Sequence, residues 1–184
     1  MTHARWLVLA LFGLAFALSP VAGLAQEKDL EAKLPAPVKK TFRDKFPRAQ
    51  IEKLDVEEEG GVTVYDLEFR DGTTEKETDI TADGTMLEFT VVIEAKDVPE
   101  AAMKPIRKAA DGATMKRIER IKISYKTKDG KAIKLPKPVT HYAVEMSKGT
   151  RNTEIVVASN GEVIEPARWG GDQEKKKSAG EARK

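Results

Sequence analysis

His141 has the clearest capacity for acid–base chemistry in this 184-residue chain, because the only other histidine lies within the first 25 residues. Strand alternation places it on the same face as Glu145, so it could act as a general base or a metal ligand. A nucleophilic triad would also need a positioned serine, and no serine lies in a nucleophile-elbow motif. We therefore predict a solvated histidine, no catalytic residue and no enzyme, with a hydrolase that uses His141 as the alternative.

The stretch DITADGTMLEFT, residues 79–90, has some features of a calcium-binding loop. Asp79, Thr81 and Asp83 occupy loop positions 1, 3 and 5, but position 12, which needs a bidentate glutamate, is Thr90. A related stretch later in the chain keeps the Asx-Gly turn and lacks the carboxylates, with Val156, Ala158, Asn160 and Gly161 at the matching positions. We predict a turn, no metal site and no cofactor. An envelope sensor or weak metal-binding protein is the alternative.

That later stretch belongs to an internal repeat. TADGTMLE, which starts at Thr81, and ASNGEVIE, which starts at Ala158, are 77 positions apart, whereas Pro35 and Pro99 are 64 positions apart. The second copy therefore contains 13 additional residues, at 126–138, between two predicted strands. A longer hairpin is tolerated at such a place at little cost.

Each copy begins with a helix and continues with strands. Val38, Phe42 and Phe46 recur at every fourth position and form an apolar helical stripe. After this helix, the stretch VTVYDLEF alternates apolar and polar residues, which is typical of a sheet with one covered face. We predict an α+β fold of two tandem helix-plus-antiparallel-sheet units, at 26–95 and 96–169, each with its helix packed on one face of a three- or four-stranded meander.

The N-terminal segment of the chain indicates export. Residues 1–25 carry a short apolar run after Arg5, which is typical of a secretory signal peptide. The chain has no cysteine, so disulfides and a lipid-modified cysteine are excluded, and its 32 basic and 30 acidic residues do not favour nucleic acid. We predict a periplasmic or secreted protein with no stable membrane insertion after signal cleavage, and a disordered tail at 170–184.

The polar face of the predicted strands is the expected binding surface. It is acidic in the first unit, whereas Arg120, Lys122 and Lys126 make it basic in the second. The insertion adds a projecting lysine-rich hairpin, which could contact an acidic partner or protect a sheet edge. A one-residue slip in register would exchange the two faces. The candidate residues of this binding face are Asp66, Glu68, Arg70, Glu75, Glu77, Lys122, Lys126, Lys128, Lys131, Lys134, Lys137, His141 and Glu145.

These features resemble the PepSY-like domain. An L-P or V-P start, an amphipathic helix ending in FPRA, the strand YDLEF and the closing DITADGTMLE carry the resemblance, and both copies show the pattern across nearly all of the chain after residue 25. The family is related in fold to secreted β-lactamase-inhibitor proteins. The resemblance implies an exported, non-enzymatic binding module, with a protein or peptidase inhibitor or regulator among its expected roles. Its partner would be an unidentified envelope or secreted protein or peptide.

One feature of the sequence departs from the inhibitory relatives, which rely on an aromatic-rich sheet face. Aromatic residues make up 6% of this chain. Tyr65, Phe69 and Tyr142 fall on the apolar side of their predicted strands and are expected in the core. This departure weakens the prediction of an inhibitor.

Overall fold

A computed structural model describes residues 30 to 169, and its strands form a single antiparallel sheet. Eight strands lie side by side in chain order, from β1 at one edge to β8 at the other. They are β1 (Gln50–Glu59), β2 (Val62–Asp71), β3 (Thr74–Thr81), β4 (Met86–Val92), β5 (Thr114–Lys128), β6 (Lys131–Lys148), β7 (Arg151–Ala158) and β8 (Val163–Glu165). No helix in this range is long and apolar enough to cross a membrane. The predicted signal peptide and tail lie outside the described residues.

The prediction of two tandem helix-plus-sheet units is wrong, because one eight-stranded sheet runs through both copies. β4 pairs with β5, with Glu88 opposite Ile123 and Val92 opposite Glu119. The sequence of β4 is apolar and β-branched, so pairing with β5 covers an edge that a separate four-stranded unit would leave exposed. A helix followed by four strands nevertheless occurs twice, with α1 (Ala36–Lys45) before β1 and α2 (Glu100–Ala110) before β5.

Both helices pack on the same face of the sheet. Phe89 of β4 packs in the core beneath α1 and lies directly opposite Lys122 of β5. Ile118, four residues earlier on β5, packs in the core beneath α2. Directly opposed residues share a face, and so do residues an even number apart on one strand. We call this side the helix face and the other side the open face.

The core of the first half, residues 30–95, is aromatic. Val38 and Phe42 of α1 are fully buried. Phe42 meets Phe69 of β2 edge to face with ring centroids 5.0 Å apart, and Phe46 stacks on Phe89 with centroids 5.4 Å apart. Aromatic pairs in these geometries stabilise a core beyond the area that they bury.

The core of the second half, residues 96–169, is mainly aliphatic, with Tyr142 also buried in it. Met103 and Ile106 of α2 pack against Val144 of β6 and Val157 of β7, and all four are buried. Pro105 lies inside α2 without ending it. Because proline has no N–H, the carbonyl of the residue four positions earlier lacks its usual helical donor.

Two glycine turns dock the sheet onto the two helices in the same way. A Cβ on Gly84, which has φ +90°, would lie 3.0 Å from the Pro37 carbonyl oxygen at the start of α1. A Cβ on Gly161, which has φ +91°, would lie 2.5 Å from the Ala101 carbonyl oxygen at the start of α2. Only glycine fits such a close approach in this backbone conformation. The Asx-Gly pair shared by the two copies therefore belongs to a helix-docking turn.

The insertion lengthens β5 and β6 into a two-stranded extension, residues 124–140, which we call the lysine arm. Its tip does not project freely as the sequence suggested. The Gly130 N–H donates a 2.8 Å hydrogen bond to the Gly60 carbonyl in the β1–β2 turn. A Cβ on Gly60 would lie 2.9 Å from the carbonyl carbon of Thr127, so the two hairpin tips are in close contact. The arm thus bends back over one end of the sheet.

Candidate functional site: the open face

The register brings most of the predicted binding-face residues together on the open face. Asp66 lies opposite Asp79, Glu68 opposite Glu77, and Arg70 opposite Glu75, all between β2 and β3. β4 and β5 carry this face into the second half through Thr90 and Ile121, which lie opposite each other. His141 lies opposite Ile121, and Glu145 lies four residues beyond His141 on β6. The open face is therefore one surface that spans both halves.

The second half of the open face is acidic and not basic as the sequence suggested. Lys122 lies opposite Phe89 and belongs to the helix face, as does Arg120, two residues away. The two neighbours of Arg120 in the chain, Glu119 and Ile121, lie on the open face. The residues of β5 therefore lie on the opposite face from the one predicted. The pairing of β5 with its two neighbouring strands decides the face, and the repeat pattern alone does not.

Three open-face residues were missed by the sequence interpretation. Glu119 lies opposite Ala143, and Arg117 lies opposite Glu145 after a bulge that follows Met115. Glu154 of β7 lies opposite Glu145. Charged and apolar residues are mixed on both faces of MKRIERIKI, so its pattern does not say which face of β5 is covered.

Five partly buried carboxylates run across this surface from β2 to β7, and we call them the acidic track. They are Asp66, Glu77, Glu119, Glu145 and Glu154. The track is flanked by Asp79 and Glu88, which are buried and opposite each other on β3 and β4. Like charges directly opposite on neighbouring strands destabilise a sheet, so this arrangement is unfavourable for folding.

The cations on the open face pair mainly with carboxylates outside the acidic track. Lys53 lies 2.8 Å from Glu68 and 2.7 Å from Asp55. Arg70 bridges Glu52 at 3.0 Å and Glu75 at 3.2 Å, and Arg117 bridges Glu75 and Glu119. Among residues 30–169 no salt bridge reaches the other four members of the track, Asp66, Glu77, Glu145 and Glu154.

Burial and mutual repulsion raise the pKa values of these four carboxyls. Desolvation, followed by the charges of Asp66 and Glu119, raises the pKa of Glu77 to about 9. Desolvation is also the main cause that raises the pKa of Asp66 to about 7 and that of Glu154 to about 7, and it raises the pKa of Glu145. The Oδ1 atom of Asp66 is buried and accepts no hydrogen bond within the described part of the chain. Clustered groups of this kind occur often at functional sites.

Three carboxylates of the open face come close enough to share a cation. One ligand oxygen each of Asp66, Glu77 and Asp79 lies within 4.8 Å of the others. Carboxylate oxygens are the ligands that Mg²⁺ and Ca²⁺ prefer. This grouping differs from the loop considered in the sequence, because Asp83 is used within its own turn. Its side chain accepts hydrogen bonds from the Thr81 hydroxyl and, at 3.0 Å, from the Thr85 N–H, which lower its pKa.

His141 and Glu145 are not placed as an acid–base pair. They share the open face, but four residues of extended strand separate their Cα atoms by roughly 13 Å. His141 is flanked by Ile121 on β5 and Ala158 on β7. Ser124, Ser147 and Ser159, which lie outside any nucleophile-elbow motif, are found on β5, on β6 and directly after β7.

The lysine arm borders the open face at one end. Its five lysine side chains, Lys126, Lys128, Lys131, Lys134 and Lys137, are exposed. A cavity of about 290 Å³ lies between the arm and the sheet, with Val62, Thr81 and Thr85 on the sheet side and Gly130 to Ala132 on the arm side. The predicted site residues therefore divide into an acidic surface, a basic arm beside it, and Lys122 on the helix face.

The sequence matches no protein-family model and no curated protein, but solved structures share its fold. A DUF2874 family protein from Bacteroides uniformis superimposes with a TM-score of 0.52 at 16% identity, over 73% of this chain and 88% of its own. A candidate periplasmic protein from Bacteroides eggerthii gives a TM-score of 0.52 at 14% identity, over 74% and 88%. A BLIP-like protein from Bacteroides fragilis gives 0.49 at 12% identity, over 74% and 86%. At these identities the chain shares a fold with the first two proteins, and the PepSY-like resemblance stays a prediction.

Proposed function

We propose that this protein is an exported, non-catalytic binding module that holds a protein or peptide on its open face. Both helices pack on the other side, so all eight strands contribute to one surface that no helix covers within residues 30–169. The observation that carries the proposal is the acidic track, in which four partly buried carboxylates have no salt bridge to any described residue, at a cost in stability. A partner that contacts these groups would explain why the fold keeps them.

The PepSY-like assignment and a periplasmic or secreted location belong to the same proposal. They are supported by the signal-like residues 1–25, by the absence of cysteine and by the fold shared with a candidate periplasmic protein. A role without catalysis is supported by the wide separation of His141 and Glu145 along β6. An inhibitor or regulator of a secreted enzyme fits this description.

The test is a pull-down from an envelope extract with the mature protein as bait. Glu68→Arg combined with Glu77→Arg reverses two charges on the open face. Asp44→Arg combined with Glu162→Arg makes the same charge change at two exposed positions, on α1 and in the β7–β8 turn. We expect one partner to be retained by wild type and by the control, and lost from the open-face variant. Equal retention by all three proteins would refute the proposed surface.

A further inference from the structure

The charges and the shape of the open face indicate the chemistry of its partner, an inference that rests on the proposed function. Four carboxylates of the acidic track, Asp66, Glu77, Glu145 and Glu154, have no salt bridge within residues 30–169. They are partly buried, so counter-ions in solution screen them less well than they would screen exposed groups. A positive charge brought by a partner would therefore gain more here than at an exposed surface.

The track is too wide for a single metal ion. It extends from β2 to β7, and five steps between neighbouring strands cover roughly 24 Å. A metal ion binds oxygen ligands within about 2.6 Å, so one ion could at most use the group of Asp66, Glu77 and Asp79. A polypeptide that carries several cations along its length would place positive charge at both ends of the track.

The floor between the carboxylates is uncharged, and its accessible part is apolar. Thr90 and Ile121 lie opposite each other in the middle of the sheet, and Val92 lies on the same face one pair away. Ala143 and Val156 continue this floor between Glu119 and the edge of the sheet but are themselves buried, so Ile121 and Val92 form its accessible apolar part. Long basic side chains bury their aliphatic stems on such surfaces while their charged ends reach carboxylates.

We propose that the open face binds a lysine- or arginine-bearing polypeptide segment that runs across the strands along the acidic track. The lysine arm limits the site at one end, because its five exposed lysines repel a basic segment. The cations of the segment lie over the Asp66–Glu77 group and the Glu145–Glu154 pair, and their stems cover the apolar floor. Complementary charge of this kind sets which partners are accepted more than how tightly they bind.

A direct test uses an oligolysine peptide as the probe, with fluorescence anisotropy at low salt and at pH 9, because the raised pKa values leave part of the acidic track protonated at neutral pH. We expect saturable binding by the mature protein and an affinity about tenfold weaker for Glu77→Gln combined with Glu154→Gln, because each lost ion pair is worth a few-fold in affinity. Asp44→Asn combined with Glu162→Gln removes the same charge elsewhere and should leave the affinity unchanged. Equal weakening in both variants would overturn the inference, since it would indicate attraction by net charge alone.

Three further measurements test whether the open face binds something other than a basic segment. Tighter binding of oligoglutamate than of oligolysine, abolished by Lys131→Gln combined with Lys134→Gln, would make the lysine arm the site and overturn the inference. Displacement of oligolysine by micromolar CaCl₂ would overturn the inference in favour of a metal site. Salt-sensitive dimers of the free protein would overturn it in favour of the lysine arm of a second copy. Should oligolysine fail to bind while an envelope partner still requires the open face, this inference fails and the proposed function stands.

Discussion

The two halves of the molecule build the same order of elements around different cores. Beneath α1 a cluster of phenylalanines packs among aliphatic residues, whereas beneath α2 the core is formed mainly by methionine, isoleucine and valine side chains together with Tyr142. Phe42 in the first half corresponds to Ile106 in the second, and both are fully buried. The comparison teaches that the fold requires an apolar stripe on each helix and a glycine turn against its first turn, and that the identity of the core residues is free to change.

The halves also differ where the turn meets the helix. In the first half the Thr41 hydroxyl donates a 2.7 Å hydrogen bond to the Gly84 carbonyl. The corresponding residue of α2 is Pro105, which can donate nothing. The second half compensates by an even closer approach of Gly161 to the helix. Four experiments break or sharpen this comparison, from the largest expected effect to the smallest.

Truncation of the matched core residues should have the largest effect. Phe42→Ala is expected to lower the free energy of unfolding by about 4 kcal/mol, and Ile106→Ala by about 3 kcal/mol, because the phenyl ring leaves the larger cavity. Urea titration followed by circular dichroism would measure both. Since the halves share one sheet, each variant should unfold in a single transition. Two separate transitions would contradict this, and Val56→Ala at an exposed strand position is the control.

Substitution of the two docking glycines should come next. Gly161→Ala is expected to lose about 3 kcal/mol and Gly84→Ala about 2 kcal/mol, because both face a backbone oxygen at positive φ and the approach is closer at Gly161. Gly72→Ala is the matched control, since its φ is +66° and nothing lies within 4 Å of its Cβ position. It should lose about 1 kcal/mol. Thermal unfolding would rank the three, and equal losses would show that backbone conformation alone is responsible.

The open face should make stability depend on pH. The folded-state pKa of Glu77, about 9, lies above its ordinary value of 4.5, so the folded protein holds a proton that the unfolded chain releases. Stability should therefore fall as pH rises from about 5 to 9. The charged groups that act on Glu77 are Asp66 and Glu68 on β2, Asp79 on β3 and Glu119 on β5.

Glu77→Gln removes this ionisation. The variant should be about 2 kcal/mol more stable than wild type at pH 8 and nearly equal to it at pH 5. Glu154→Gln in the second half should show a smaller gain, because the pKa of Glu154 is raised only to about 7. Chemical denaturation at the two pH values measures the gain, with the exposed Glu57→Gln as control. A loss of stability at pH 8 would mean that the ionised carboxylate is favourable where it lies.

Loss of the single turn hydrogen bond should have the smallest effect. Thr41→Val removes the hydroxyl that donates to Gly84 and should cost about 1 kcal/mol. Pro105→Ala at the matching position should gain about 1 kcal/mol, because the new N–H can donate to the Ala101 carbonyl. Differential scanning calorimetry would resolve the pair. Changes of the same sign in both variants would argue against the structural correspondence of the two positions.

Much of the local structure could be predicted from the sequence. The spacing of Val38, Phe42 and Phe46 identified the buried face of α1, and the alternation in VTVYDLEF identified the two sides of β2. These patterns are read within a few residues and need no partner. The facing of β5 could not be read in this way, because both sides of that strand are mixed and its neighbours on the sheet decide which side is covered.

The candidate site shows the same division. Asp66, Glu68 and Glu77 were placed on one face by alternation alone, whereas Glu119 and Glu154 joined them only through the pairing of β5 with β4 and β6 with β7. The lysine arm was recognised as an insertion, but its bend toward Gly60 depends on a contact between two distant turns.

By itself, the sequence determined the duplication, the amphipathic helices and the glycine turns, since each is a matter of residue type and short spacing. Only the tertiary structure decided that the two copies form one sheet and that their open faces make one acidic surface. The physical reason is that strand pairing, bulges and register join residues far apart in the chain. A single slip in any of these pairings moves every side chain of a strand to the opposite face.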